Sequence, residues 1–317
     1  MAVGGISFGR TVTANPILWQ ECLYQARSIP ALMRRYWPLG MLLIGLILGG
    51  VALTLRDIAS PTRELALFTI WIVHALTAAR CVAAGANAIS REHVGQTWDT
   101  LILTGVSARH ILLGKWEGVL RVSAPWILLL GTVRLVMIPI FTLALVNRFA
   151  WRAGNSVTSY PGYGAPTGVE WVPWAALLAV VMTVVLTILE VFACTAVGLA
   201  ASALVRRGWL AMIAAMIVRF MPVALFAAFT RYEVGAAPSW RVLRFPYLGL
   251  ADSGTAPLYQ LSLPLTGWTQ DAHAGALPGL LMVMLLLATL TIGGLLVAWW
   301  AIRRDGALPH QPRPAAT

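Results

Sequence analysis

Six stretches of the chain are almost continuously apolar: residues 38–55, 65–89, 119–146, 174–204, 208–229 and 278–302. A bilayer-spanning helix needs ~20 predominantly apolar residues. The pattern therefore predicts an all-α membrane protein with six transmembrane helices. The first span is short and borrows Tyr36 and Trp37, while the fourth is long enough to tilt or to run beyond the lipid. Ahead of them, residues 15–37 follow a different rule. Leu18, Cys22, Ile29, Leu32, Met33 and Tyr36 recur at three- and four-residue steps, and the polar pairs Gln20/Glu21, Arg27/Ser28 and Arg34/Arg35 recur every seven. That is an amphipathic helix in the membrane interface with its arginines toward the headgroups. Asn15 is suited to cap it, Pro16 to its first position, and Pro30 to kink it.

The domain reading follows from these spans. Residues 1–37 form a cytoplasmic N-terminus and interfacial helix, 38–302 the six-span domain, and 303–317 a cytoplasmic tail predicted to be disordered beyond Arg304. Between spans, the external segment 147–173 is rich in Gly, Pro, Tyr and Ser and is predicted to be irregular. The segment 230–277 is semi-apolar but too broken to span, and suits short helices resting on the bundle. The opening residues 1–14 lack the apolar run of a signal peptide.

One polar segment interrupts the hydrocarbon between spans two and three, residues 89–115, ISREHVGQTWDTLILTGVSARHILLGK. Its punctuation predicts helix, break, short helix, break, helix. Gly95 breaks the helix that carries Arg91 and Glu92. Thr97 caps a short helix with Asp99 in its first turn. Gly105 closes that helix, and Ser107 caps the next, which runs through Lys115 into span three. Val94, Trp98 and Leu101 share a face if the segment is near-continuous. Such a capped element suits docking into a groove of a soluble partner; resting on the membrane surface is the plainer alternative.

Composition and charge sharpen the membrane reading. The chain is 59% hydrophobic and 11% charged, against ~25% charged in a soluble domain. Its formal charge of +11 suggests nucleic acid until the positions are mapped. With both termini in the cytoplasm, most basic residues fall inside, the short Arg206–Arg207 link being the cleanest positive-inside signal. Arg56, Arg63, Arg148, Arg152, Arg231, Arg241 and Arg244 fall outside. The excess is a topology and headgroup signal, with no nucleic-acid partner implied. Trp37, Trp174, Trp209, Trp299 and Trp300 stand at span ends, as an interfacial belt requires. The three cysteines, Cys22, Cys81 and Cys194, form no cluster and read as small buried hydrophobes.

Residues 90–115 resemble the cytoplasmic loop of exporter-like, six-span (type-2) ABC transporter permeases, which commonly read close to SRE…GT(L/W)(E/D)xLLLTPLSxxxIxxGK. Ser90-Arg91-Glu92, Gly95, Thr97-Trp98-Asp99, Leu101-Ile102-Leu103-Thr104, Ser107, Ile111 and Gly114-Lys115 match. Gly105 stands where Pro is frequent, and His93 and Gln96 replace commoner charged residues. The Asn15-Pro16-Ile17-Leu18 start also resembles that family's membrane elbow. The resemblance implies a coupling helix over 91–104 that seats in a cleft of a separate ABC ATPase subunit, with Arg91, Glu92, Gly95, Thr97, Trp98, Asp99, Leu101, Thr104 and Gly105 as its ATPase-coupling residues. It further implies a second permease chain, identical or homologous, in the plasma (inner) membrane, with ATP and Mg on the partner subunit and no cofactor or metal on this chain. The chain itself lacks a P-loop. Its Gly114-Lys115 pair is followed by Trp116, has Arg109 where the first Gly belongs, and leads into a membrane helix.

Three charges fall mid-span: Arg134, Glu190 and Arg219. Each costs at least ~2.5–3.5 kcal/mol if bare, so each must face protein or water. They line a translocation path for an anionic group, or they form an interhelical Glu190–Arg bridge with the other Arg facing a neighbour. His74 reads as a hydrogen-bonded packing residue, and Glu117 and Arg121 as a local i,i+4 pair. An intramembrane enzyme finds no support: there is no HExxH, and Ser107 has no convincingly placed His partner, so no catalytic residue is assigned. A channel or secondary transporter calls for paired broken helices, which are not found. A non-transporting membrane scaffold or accessory subunit is the alternative to the permease.

Overall fold

The computed structural model describes residues 36, 39–40, 42–47, 60–103, 105–155, 172–231, 252, 254 and 276–307. Among them the elements are α1 Ser60–Val94, α2 Trp98–Leu103, α3 Ala108–Asn155, α4 Val172–Leu204, α5 Gly208–Arg231 and α6 Ala276–Ala307. Residues 42–47 are helical as well, within the first expected span. Five helices are long and apolar enough to cross a membrane, over Thr69–Val94, Ala108–Ile138, Ala176–Leu204, Gly208–Leu225 and Gly279–Asp305. They coincide with the second to sixth apolar stretches of the sequence. The chain is thus a helical protein with the character of a multi-pass membrane protein. The expected interfacial helix over 15–37 lies outside the described residues, Tyr36 apart.

Three boundaries differ from the apolar pattern. α3 has 48 residues, ~72 Å at 1.5 Å per residue, more than twice the ~30 Å hydrocarbon core. Residues 147–155, expected to be irregular, are helix. α1 starts at Ser60, inside the expected external segment, and α6 continues to Ala307, past the point where a disordered tail was expected. At the C-terminal ends of α3 and α6 the helix outlasts the hydrocarbon match, and α1 begins at Ser60-Pro61, an N-cap residue followed by Pro at the first helical position.

α4 is the central helix and packs along α1, α3, α5 and α6. Small residues make this possible. At the α1–α4 crossing the backbones touch: a Cβ on Gly198 would lie 2.7 Å from the Val82 carbonyl oxygen, and one on Gly85 2.7 Å from that of Thr195. Lipid tails offer no less apolar company than a neighbouring helix, so close backbone approach is a main source of helix association in membranes. Cys81, Val82, Ala86, Cys194, Val197, Ala211 and Ala215 fill the space around this crossing, and Cys81 and Cys194 are free and buried as expected. Three hydroxyls of α4 are satisfied within the helix, Thr187 donating to the Thr183 carbonyl at 2.6 Å, Thr195 to that of Val191 at 2.9 Å and Ser202 to that of Leu199 at 3.0 Å.

Candidate functional site

The segment between α1 and α3 folds back as a hairpin around α2. α1 ends in a double turn: Gln96 N–H donates to the His93 carbonyl at 3.3 Å and Thr97 N–H to that of Glu92 at 3.0 Å. This is a Schellman closure, and its left-handed residue is Gln96, with φ 56°. The break therefore sits one residue beyond Gly95, the residue expected to make it. Thr97 also departs from expectation. Its carbonyl accepts from Leu101 N–H, starting α2, but its hydroxyl turns back to the Glu92 carboxylate. Asp99 stands exposed in the first turn of α2, where the helix dipole favours it. Gly105 closes α2 with φ 71°, and Ser107 Oγ caps α3, accepting from His110 N–H at 3.4 Å. Thr104 lies outside the described residues.

What holds the hairpin is a buried ion pair. Lys115 Nζ lies 2.5 Å from Glu92 Oε1, with the lysine 0% exposed. Glu92 thus ties the end of α1 both to α3 and to the start of α2. Lys115 is the only lysine in the chain. Beneath the pair, Trp98 is buried among Ala88, Ile89, Ile111, Leu112, Val119, Leu199, Ala298 and Ile302, and the His93 ring packs on it at 4.8 Å. Leu101 is half-buried against the same cluster.

This arrangement corrects the expected docking face. Val94, Trp98 and Leu101 do not point together to solvent. Trp98 is an inward anchor, because a large aromatic on a one-and-a-half-turn helix is the main apolar group available to fasten it to the bundle. The exposed side of the hairpin carries Val94 at 73% exposure, Leu103 at 70%, and the exposed Asp99 and Thr100. Of the remaining candidates, Arg91 is half-buried, and Gly95 and Gly105 are exposed in the two turns.

The second constellation lies deep in the bundle. Arg134 of α3 is completely buried. Its Nη1 donates to Thr187 Oγ1 at 2.7 Å, and its Nη2 lies 3.1 Å from Glu190 Oε2 and 3.2 Å from His74 Nδ1 and bonds Asp252 Oδ1. Arg219 of α5 reaches the other oxygen of Glu190 at 3.0 Å. Glu190 therefore bridges both arginines, where the sequence suggested one or the other. Asp252 and Thr187 were not anticipated. Asp252 had a signal, being an acid inside the semi-apolar piece PYLGLADSG, which calls for a partner. His74 joins the network as a hydrogen-bonded group, as expected. Glu117 and Arg121 pair locally at 2.6 Å on the exposed face of α3.

His74, Glu190 and Asp252 each present a ligand atom, all within 4.8 Å of one another. They do not make a metal centre in this arrangement. The Arg134 guanidinium bonds all three and holds the place a cation would take. What the cluster does chemically is neutralise charge in a low-dielectric interior, with two guanidiniums against two carboxylates among the described residues. No protein-family model matches the chain, and no curated protein matches it in sequence.

Proposed function

We propose that the chain is the membrane-spanning permease subunit of an ATP-driven transporter of the exporter-like ABC type. In this reading it sits in the plasma (inner) membrane with both termini cytoplasmic and pairs with a second permease chain. ATP and Mg are bound and hydrolysed on a separate ATPase subunit. The observation that carries the reading is the hairpin over 89–115: a short capped helix, clamped by Glu92–Lys115 and Trp98, that offers Val94, Asp99 and Leu103 outward. A clamped element moves as a unit with α1 and α3, as a lever between a soluble motor and membrane helices must. The matched motif residues divide the same way: Glu92, Trp98 and Lys115 hold the hairpin in place, and Asp99 and Leu103 face outward to meet a partner.

The test is purification of the tagged chain from its native membrane in mild detergent. A stoichiometric P-loop ATPase is expected with the wild type and is expected to be lost in Val94→Asp and Leu103→Asp, both of which leave Tm unchanged because the side chains are exposed. Recovery of the chain without an ATPase, or equal recovery with both variants, overturns the reading and favours a non-transporting scaffold.

A further inference from the structure

Inside the second apolar stretch, residues 65–89, stands a further charge, Arg80. Arg80 and Ile89, the last residue of that stretch, are about 14 Å apart along α1 at 1.5 Å per residue. That is close to half of a ~30 Å hydrocarbon core. Other arginines of the spanning helices are accounted for. Arg134 and Arg219 are buried against Glu190. Arg121 pairs with Glu117 at 2.6 Å. Arg303 and Arg304 lie over the rings of Trp299 and Trp300 at the end of α6. Arg80 is exposed, and it makes no ion pair or hydrogen bond among the described residues.

Its setting follows from helical spacing. Ile72, Leu76, Arg80, Ala83 and Asn87 succeed one another at four- and three-residue steps, so they share one face of α1. That face is exposed apart from the half-buried Ala83, while the opposite face, with Ala78, Cys81 and Val82, packs into the bundle. Away from the hairpin the exposed face is hydrocarbon, with Ile72 at 46% exposure and Leu76 at 54%. Toward the hairpin it turns polar. Asn87 donates to the Ala83 carbonyl at 2.8 Å, and its Oδ1 points at the start of α5, where a Cβ on Gly208 would lie 2.6 Å away.

A bare guanidinium facing hydrocarbon is disfavoured, and such a residue calls for a partner. Three sources of negative charge compete for the place. A second copy of the chain would need an exposed acid at this depth, and the exposed carboxylate on the spanning helices, among the described residues, is Glu117, which already holds Arg121. An aqueous anion loses its hydration on entering hydrocarbon. An amphiphile does not face that barrier, because its apolar tail belongs there.

We propose that this face of α1 binds an anionic phospholipid, its phosphate drawn below the interface onto Arg80, an acyl chain along Leu76 and Ile72, and the rest of its headgroup toward Asn87. A guanidinium suits a phosphate because two N–H groups of its planar fork meet two oxygens. The site requires neither an ATPase nor transport, so its test is independent of the permease reading.

The test is native mass spectrometry of the purified full chain from detergent micelles holding equal amounts of dioleoyl phosphatidylglycerol and dioleoyl phosphatidylcholine. Wild type is expected to retain phosphatidylglycerol preferentially. The preference is expected to fall about fivefold in Arg80→Gln and to persist in Arg80→Lys. Arg207→Gln removes an equal charge from the exposed link between α4 and α5 and is expected to stay near wild type. Equal retention in wild type and Arg80→Gln overturns the proposal, as does an equal loss in Arg207→Gln, which is general attraction of a basic chain for anionic lipid. Conversion of a dimer of chains to monomers in Arg80→Gln, with lipid retention unchanged, assigns the face to a second copy and also overturns it. If Arg80→Gln does not survive purification, Leu76→Glu carries the test. Its carboxylate stands four residues before Arg80, in the favourable order for pairing along a helix, and is expected to displace the lipid; undiminished preference for phosphatidylglycerol there overturns the proposal.

Discussion

Glu92→Gln breaks the hairpin clamp with the least change in shape. The neutral amide still accepts a hydrogen bond from Thr97 but removes the negative charge that faces the Lys115 ammonium, which is 0% exposed. Removing one partner of a buried pair costs about 3–5 kcal/mol. Solvent screening does little to reduce this, because the two side chains are 1% and 8% exposed. For a chain of this size, at roughly 2 °C per kcal/mol, the melting temperature is expected to fall by about 6–10 °C. Thermal unfolding in detergent, followed by tryptophan fluorescence, reads the shift. The diagnostic protein is Glu92→Gln/Lys115→Met. It has neither charge, and replacing a whole buried pair by apolar groups is often neutral, so it is expected to recover most of the loss. A single variant within 1 °C of wild type, or a double variant worse than either single one, refutes the clamp.

Gln96→Gly relieves a left-handed residue at an exposed turn and is expected to stabilise by about 1 kcal/mol in the same assay. Gly198→Ala forces a methyl to within 2.7 Å of the Val82 carbonyl and 3.0 Å of the Gly85 Cα. Backbone cannot rotate away, so a loss of about 1–3 kcal/mol is expected. Gly131→Ala is its control: on α3, with nothing within 4 Å of the new methyl, it is expected to be neutral or to stabilise by up to ~1 kcal/mol.

The helices were legible because membrane burial writes itself into the sequence as uninterrupted hydrocarbon, and five such stretches are helices of spanning length. The ends were less legible. Nothing in residues 147–155 or 305–307 requires a helix, and nothing stops one either. The hairpin's punctuation was legible at Gly105 and Ser107, where one residue type has one local use. It misled at Gly95, because Schellman geometry puts the left-handed residue wherever register demands, here at Gln96. Trp98 was assigned to the wrong side, since helical spacing gives a shared face but not what lies opposite it. Pairings across the bundle were out of reach. Glu92 and Lys115 are 23 residues apart, and Arg134 and Asp252 118; only packing decides which charges meet.

The two constellations share their supports. α1 carries both His74 and Glu92, and α3 carries both Lys115 and Arg134. The separations are about 27 Å along α1 and about 28 Å along α3 at 1.5 Å per residue. The same two helices are thus cross-linked near one end by Glu92–Lys115 and far along their length by His74–Arg134. Between these points α1 passes α4 at Gly85 and Gly198, where the backbones touch and no side chain intervenes. Arg134 is also bonded to Thr187 and Glu190 of α4, and Trp116 of α3 donates to Thr195 of the same helix. The central helix is thus tied into both ends of the pair, so the hairpin and the buried charge cluster belong to one packed frame of α1, α3 and α4.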